Sequence, residues 1–188
     1  MRWVENIEPA KRAINILPNL RQYISKLESK NYKRGEFTIP NCASYQNVKN
    51  YCSDPFAKAK LEFFIWFATP IEEFLTKYQT DEPMVPFLVQ DLNKMAKYLA
   101  GSILKSDVYS EKKNKILSLD LNESKNSKKS ARFYFGYKTE KEIKSLKDSK
   151  SVKQEEIEKF LDEAGSCVKI FLKKCKKNRQ FFLNWLNI

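Results

Sequence analysis

Residues 54–79 read DPFAKAKLEFFIWFATPIEEFLTKYQ. Asp54 followed by Pro55 is a helix start. The carboxylate caps free N–H groups, and the proline ring suits the first turn, where its missing N–H costs nothing. Phe56, Ala59, Phe63, Phe67, Phe74 and Tyr78 then recur along one stripe, and Ile65, Trp66 and Ile71 widen it. An apolar face that broad belongs to a central helix covered by its neighbours. Pro70 removes a backbone donor, so a bend is expected there. The aromatics are read as core and not as a ligand box. Phe63, Phe67 and Phe74, with Leu88, Leu92, Phe160 and Phe171 from later segments, are expected to be buried.

The same period recurs on both sides of this helix. Upstream, Ala10, Ala13, Ile14, Leu17, Leu20, Ile24 and Leu27 predict a helix from about Pro9 to Leu27. Pro18 is expected to kink or split it. Residues 30–40 are polar, contain Gly35 and predict a loop; a short helix is predicted from about Cys42 to Cys52. Downstream, residues 79–83 restart the chain. Val85, Leu88, Leu92, Met95, Leu99 and Ile103 form one apolar face, with Gln90, Asn93, Lys94 and Lys97 opposite. Ser118 to Leu121 alternates and predicts a short strand. Residues 122–130, NESKNSKKS, hold no apolar anchor and predict a mobile basic loop. Thr139 with Glu142, and Ser151 with Gln154, have capping-box spacing. The first opens a helix near 140–147. The second opens a long helix whose face is Ile157, Phe160, Leu161, Ala164, Val168, Phe171, Leu172 and Cys175. Its early turns are acidic and its late turns basic, which suits the helix dipole. The expected fold is mainly α: one multi-helix domain over residues 1–188, built around a kinked aromatic central helix. Little or no strand is expected, and a basic tail should follow about residue 176.

Composition narrows the chemistry. There are four glycines and seven prolines in 188 residues, too few for a turn-rich β sandwich. The chain has no histidine, which excludes Cys₂His₂ zinc sites and His-centred catalysis within it. Cys42, Cys52, Cys167 and Cys175 form no CxxC pair, and reduced structural thiols are expected. Cys167 and Cys175 are placed on the apolar face of the last helix. Glu72-Glu73 and Glu155-Glu156 point around their helices rather than toward one metal. Glu155, Glu158 and Asp162 are interleaved with lysines and read as a solvated face. No glycine-rich phosphate loop exists. The longest apolar stretch, Phe63 to Ile71, falls far short of the ~20 residues that span a bilayer. The N-terminal MRWVENIEPAKR has no apolar h-region, so no signal peptide is read. No catalytic residue, metal or cofactor is expected, and residence is nuclear or cytoplasmic.

The net charge is +12, and it is uneven. Residues 105–153 hold 14 Lys+Arg against 7 Asp+Glu, and residues 164–188 hold 6 Lys+Arg and no Asp or Glu. Basic clusters beside aromatics suit phosphate backbones and stacked bases. The candidates are Lys128, Lys129 and Arg132 beside Phe133 and Tyr134, and Lys173, Lys174, Lys176 and Lys177. Lysine-rich charge also serves solubility alone.

Several stretches together resemble a known family. They are Arg2-Trp3-Val4-Glu5 before an Ala/Arg-rich helix, Asp54-Pro55-Phe56 with Leu61-Glu62-Phe63-Phe64, and Phe74-Leu75. The most specific runs from Tyr78-Gln79-Thr80-Asp81-Glu82-Pro83 through Met84-Val85-Pro86-Phe87-Leu88. Phe135-Gly136-Tyr137 follows, ahead of a Lys/Glu helix. In this order they resemble the helical insertion region of hAT-superfamily transposase-like proteins, including zinc-finger-BED-type domesticated relatives. The resemblance implies an all-helical domain inserted in an RNase H-like core that carries an Asp-Asp-Glu metal triad elsewhere. It also implies a DNA-end contact by the Arg2–Trp3 pair. The segment expected to hold the first two aspartates does not precede this pair, and without histidine there is no BED finger. The C-terminal dimerisation segment is not recognisable either. The expectation is therefore a truncated or domesticated remnant: a non-catalytic helical domain with weak, non-specific DNA contact. The alternative is a stand-alone helical module that binds a protein partner and no nucleic acid.

Overall fold

The computed structural model describes residues 4–29, 42–79, 84–112, 116–121 and 123–185, with side chains through 177. It is mainly α, as expected. Its helices are α1 (Ile7–Glu28), α2 (Ala43–Ser53), α3 (Ala57–Lys77), α4 (Val85–Gly101), α5 (Ser106–Glu111), α6 (Tyr137–Asp148) and α7 (Gln154–Trp185). No strand forms among the described residues. The stretch expected to be a strand, 118–121, follows a 3₁₀ turn at Ile116–Ser118 instead. Burial over 118–121 alternates as the sequence does, with Leu119 half-buried and Leu121 buried between exposed Ser118 and Asp120, but the segment pairs with no neighbouring strand among the described residues. No described helix is long and apolar enough to cross a membrane.

α3 is central: α1, α6 and α4 all pack on it, and α4 in turn packs on α7. α3 starts two residues later than the sequence suggests, with Phe56 at the N-cap instead of Asp54. The Asp54 carboxylate accepts the Phe56 N–H at 2.8 Å and the Lys60 ammonium at 2.6 Å. The Asp54 carbonyl accepts from Ala57, which closes a tight first turn. Arg21 of α1 locks this corner. Its guanidinium donates to the carbonyls of Cys52 (2.9 Å) and Asp54 (2.8 Å), groups that the end of α2 leaves without helical partners.

The aromatic stripe is not fully buried. Phe63, Phe67, Phe74 and, on other helices, Leu88 and Phe171 are half-buried, while Leu92 and Phe160 are buried as expected. The most buried side chains on α3 are Ala57, Ala59 and Ala68, each at most 1% exposed, while the rings pack at the margins of the core. Phe56 stacks on Phe160 of α7 at 5.4 Å, and Phe67 meets Phe171 edge-on at 5.4 Å. Such pairs are worth about 0.5–1.5 kcal/mol each beyond their burial.

Both internal prolines are carried within continuous helices. Pro18 is exposed, and α1 runs through it without splitting or stopping. α3 runs through Pro70, where the Thr69 hydroxyl donates to the Ile65 carbonyl at 2.7 Å.

Two caps differ from the expected boxes. α6 starts at Gly136, whose φ of +89° excludes side chains. Thr139 therefore lies inside the helix, buried, and its hydroxyl finds no partner among the described residues. α7 starts after Lys153, whose N–H is accepted by Glu156 at 2.7 Å. Ser151 instead turns back toward Ser149 and Leu146. The apolar face of α7 holds as expected, except that Cys167 is exposed. Cys175 is buried, and burial pushes its thiol up to about 12, the behaviour of an inert core thiol. The basic segment expected as a tail continues α7 as far as Trp185.

Candidate anion-binding site

α4 ends at Gly101, and the chain turns into an extended stretch before α5. A second stretch, residues 126–134, returns alongside it. Leu104 pairs with Ser127 in an isolated antiparallel bridge. Lys105 donates its N–H to Asn126, Lys128 to Ile103, and Tyr134 to Ser102. The expectation of a mobile loop over 122–130 rested on the lack of an apolar anchor. The anchors are polar. Asn126 is 7% exposed and donates to the Asp120 carbonyl (2.8 Å) and the Glu123 carboxylate (3.0 Å). The Ser127 hydroxyl donates to the Leu121 carbonyl at 3.0 Å.

The loop is also fastened to α7. A 3₁₀ turn at Ser130–Arg132 lets the Ser130 hydroxyl donate to the Asp162 carboxylate. Phe133, 6% exposed, fits where Gly165 leaves room; a β-carbon at Gly165 would overlap its ring. The Lys169 ammonium lies 5.8 Å from the Phe133 ring centroid, a cation–π distance.

This folding converges five cations on one concavity of about 550 Å³: Lys105, Lys128, Lys129, Arg132 and Lys169, with Ser124 and Ser127. Among the described residues, no carboxylate forms an ion pair with any of these five. Uncompensated like charge gathered in one concavity attracts anions. The five do not act alike. Lys128 is half-buried and donates its ammonium to the Gly101 carbonyl at 3.0 Å, one of the end-of-helix carbonyls of α4. Burial pushes its ammonium below the ordinary lysine value. Lys128 is thus a floor and a helix cap. Lys129 and Arg132 are exposed, and Lys105 and Lys169 half-exposed, so these four can reach a ligand.

Lys128, Lys129 and Arg132 are brought together as expected from sequence. Lys105 and Lys169, far from them along the chain, were not legible as members. Of the C-terminal lysines, Lys173 and Lys176 follow Lys169 at helical steps of four and three, so they share its flank of α7. The Lys176 ammonium also reaches the Ser118 carbonyl at 3.5 Å. Lys177 borders this flank. Lys174 falls on the opposite one, which corrects its grouping with the others. Arg2 and Trp3 lie outside the described residues.

The acidic turns of α7 line a larger open depression of about 640 Å³, with Glu155, Glu158 and Asp162 on its walls. Among the described residues, no group of three acidic or cysteine side chains is arranged to hold a metal ion. No family model matches the sequence, and neither a curated protein nor a solved structure matches it.

Proposed function

We propose that this chain is a non-catalytic helical module that contacts nucleic-acid phosphates, without base preference, through the concavity between the 126–132 loop and α7. The observation that carries this reading is the convergence of Lys105, Lys129, Arg132 and Lys169 with no carboxylate paired to them among the described residues. Their N–H donors and charge suit phosphodiester oxygens, which dominate non-specific affinity. Lys173 and Lys176 extend the positive flank along α7 and offer further phosphate contacts. The transposable-element origin belongs to the same proposal and rests on the stretches quoted for the hAT resemblance. Nuclear residence follows from it.

Binding of a DNA fragment by the purified protein tests the reading. Affinity should be on the order of 10⁻⁴–10⁻⁶ M near physiological salt and should fall steeply as salt rises. Lys105, Lys129, Arg132 and Lys169 changed together to Gln should abolish most of it. Lys128 is left in place because it caps α4. Undetectable binding at low salt, or binding that survives the four changes, defeats the proposal. Metal-dependent cleavage of a DNA end would defeat its non-catalytic half.

A further inference from the structure

From Arg132 the chain leaves the concavity in extended backbone, with Phe133 at φ −67° and ψ 148°. Phe133 and Phe135 go inward, 6% and 0% exposed, and Tyr134 goes outward, 51% exposed. Arg132, the last residue of the 3₁₀ turn, is exposed as well. Two residues of this polyproline-II geometry span about 6 Å, the order of the distance from a nucleotide's phosphate to its own base.

The attachment point of the Tyr134 ring is fixed. Its backbone N–H donates to Ser102 at 3.2 Å, and the neighbouring Gly101 carbonyl holds the Lys128 ammonium. The Tyr134 backbone stands two residues from Arg132, which lines the cationic concavity. Two further tyrosines are exposed. Tyr137 is 72% exposed, and Tyr98, 54% exposed, rests on Trp66 at 5.9 Å. Trp66 is the ring against which Gly136 is pressed.

We infer that the site takes single-stranded nucleic acid, with a phosphate held by Arg132, Lys129 and Lys169 and an adjacent unpaired base stacked on Tyr134. The inference rests on the nucleic-acid reading above and adds the strand state and the stacking residue. A duplex keeps its bases paired inside and offers the tyrosine only backbone. An unpaired base offers a π-face, and stacking on it tolerates any sequence.

The test compares one fluorescently labelled DNA strand with the same strand annealed to its complement, by anisotropy, on the whole protein. The single strand should bind more tightly. Tyr134→Ala should weaken single-strand binding roughly 5- to 150-fold, the affinity equivalent of one stacked base, and leave duplex binding unchanged. Tyr134→Phe keeps the ring and should keep the affinity. Tyr134 is exposed, so helical circular dichroism should be the same in all three proteins. Duplex binding as tight as single-strand binding, or a Tyr134→Ala protein with undiminished single-strand affinity, overturns the inference and leaves the nucleic-acid reading standing. Failure to bind either probe overturns both.

Discussion

At Gly136 the backbone has φ +89° and ψ 155°, a region open to glycine alone. A β-carbon built there would lie 2.6 Å from Cδ1 of Trp66. Backbone strain and steric overlap act together, so Gly136→Ala should lower unfolding stability by about 2–4 kcal/mol in urea titrations. A neutral result would mean that α6 starts elsewhere. Phe135 beside it is fully buried against Phe63, Trp66 and Phe133. Phe135→Ala should cost about 3–5 kcal/mol by the same measurement. Thr139 presents the opposite case. Its hydroxyl is buried without a partner among the described residues, and such a group carries an unrecovered desolvation cost. Thr139→Val keeps the shape and removes that cost, so the variant should be about 1 kcal/mol more stable. Loss of stability would show that the hydroxyl has a bonding partner. Neither Phe135 nor Thr139 had these roles in the sequence reading. Phe135 sat in an aromatic-basic run with no period to reveal its inward side, and Thr139 matched a capping box that the glycine start makes impossible.

Among the elements, the long helices were legible because each carries a continuous apolar face at helical spacing. α1, α2 and α4 begin and end within a few residues of their expected bounds, and α7 begins where expected but runs on to Trp185, about ten residues past the expected start of a tail. The 123–132 loop was not legible as an anchored element. Its fastenings are Asn126, Ser127 and Ser130, polar side chains whose partners lie on backbone carbonyls and on α7. Hydropathy has no signal for such bonds. The α3–α4 joint is equally invisible in a period. Asp91 on α4 accepts Lys77 at 2.5 Å and the Tyr78 hydroxyl at 3.0 Å, at the end of α3. The Lys77 bond chiefly, helped by Tyr78, holds the Asp91 carboxyl below its ordinary value. A lowered carboxyl pKa stabilises the fold above the ordinary carboxylate value, and that contribution disappears as pH falls through the lowered one. Tyr78 works at the other end. Burial first, and Asp91 second, push it up to about 12. Its contribution is whole below pH ~10 and is lost as pH rises toward about 12. Asp91→Asn should therefore cost about 1–2 kcal/mol at neutral pH and flatten the loss of stability below pH ~4. Chemical denaturation across that range decides it. An acid limb as steep in the variant as in the wild type would assign acid sensitivity to other carboxylates.

At the scale of the whole molecule, two explanations of the positive charge compete. A net charge of +12 attracts any polyanion and keeps a protein soluble wherever the lysines sit. A site requires that particular cations act together. Sequence showed the excess but not its geometry, because Lys105, the 128–132 cluster and Lys169 meet through long-range links such as the Leu104–Ser127 bridge, the Ser130–Asp162 bond and the docking of Phe133 beside Gly165. Two triple variants with equal charge loss separate the explanations. Lys129, Arg132 and Lys169 changed to Gln remove the concavity cations. Lys144, Lys147 and Lys150 changed to Gln remove three exposed lysines at and just beyond the end of α6. The affinity of each protein for a DNA strand is followed as salt rises. The logarithmic slope reports phosphate contacts, at about 0.7 per contact for single strands. Removal of three such contacts should reduce the slope by about 2 in the concavity variant. The α6 variant has the same net charge and should keep the wild-type slope. Equal loss in the two proteins would assign the binding to overall charge and dissolve the site, since only a site makes the position of a lysine matter more than its sign.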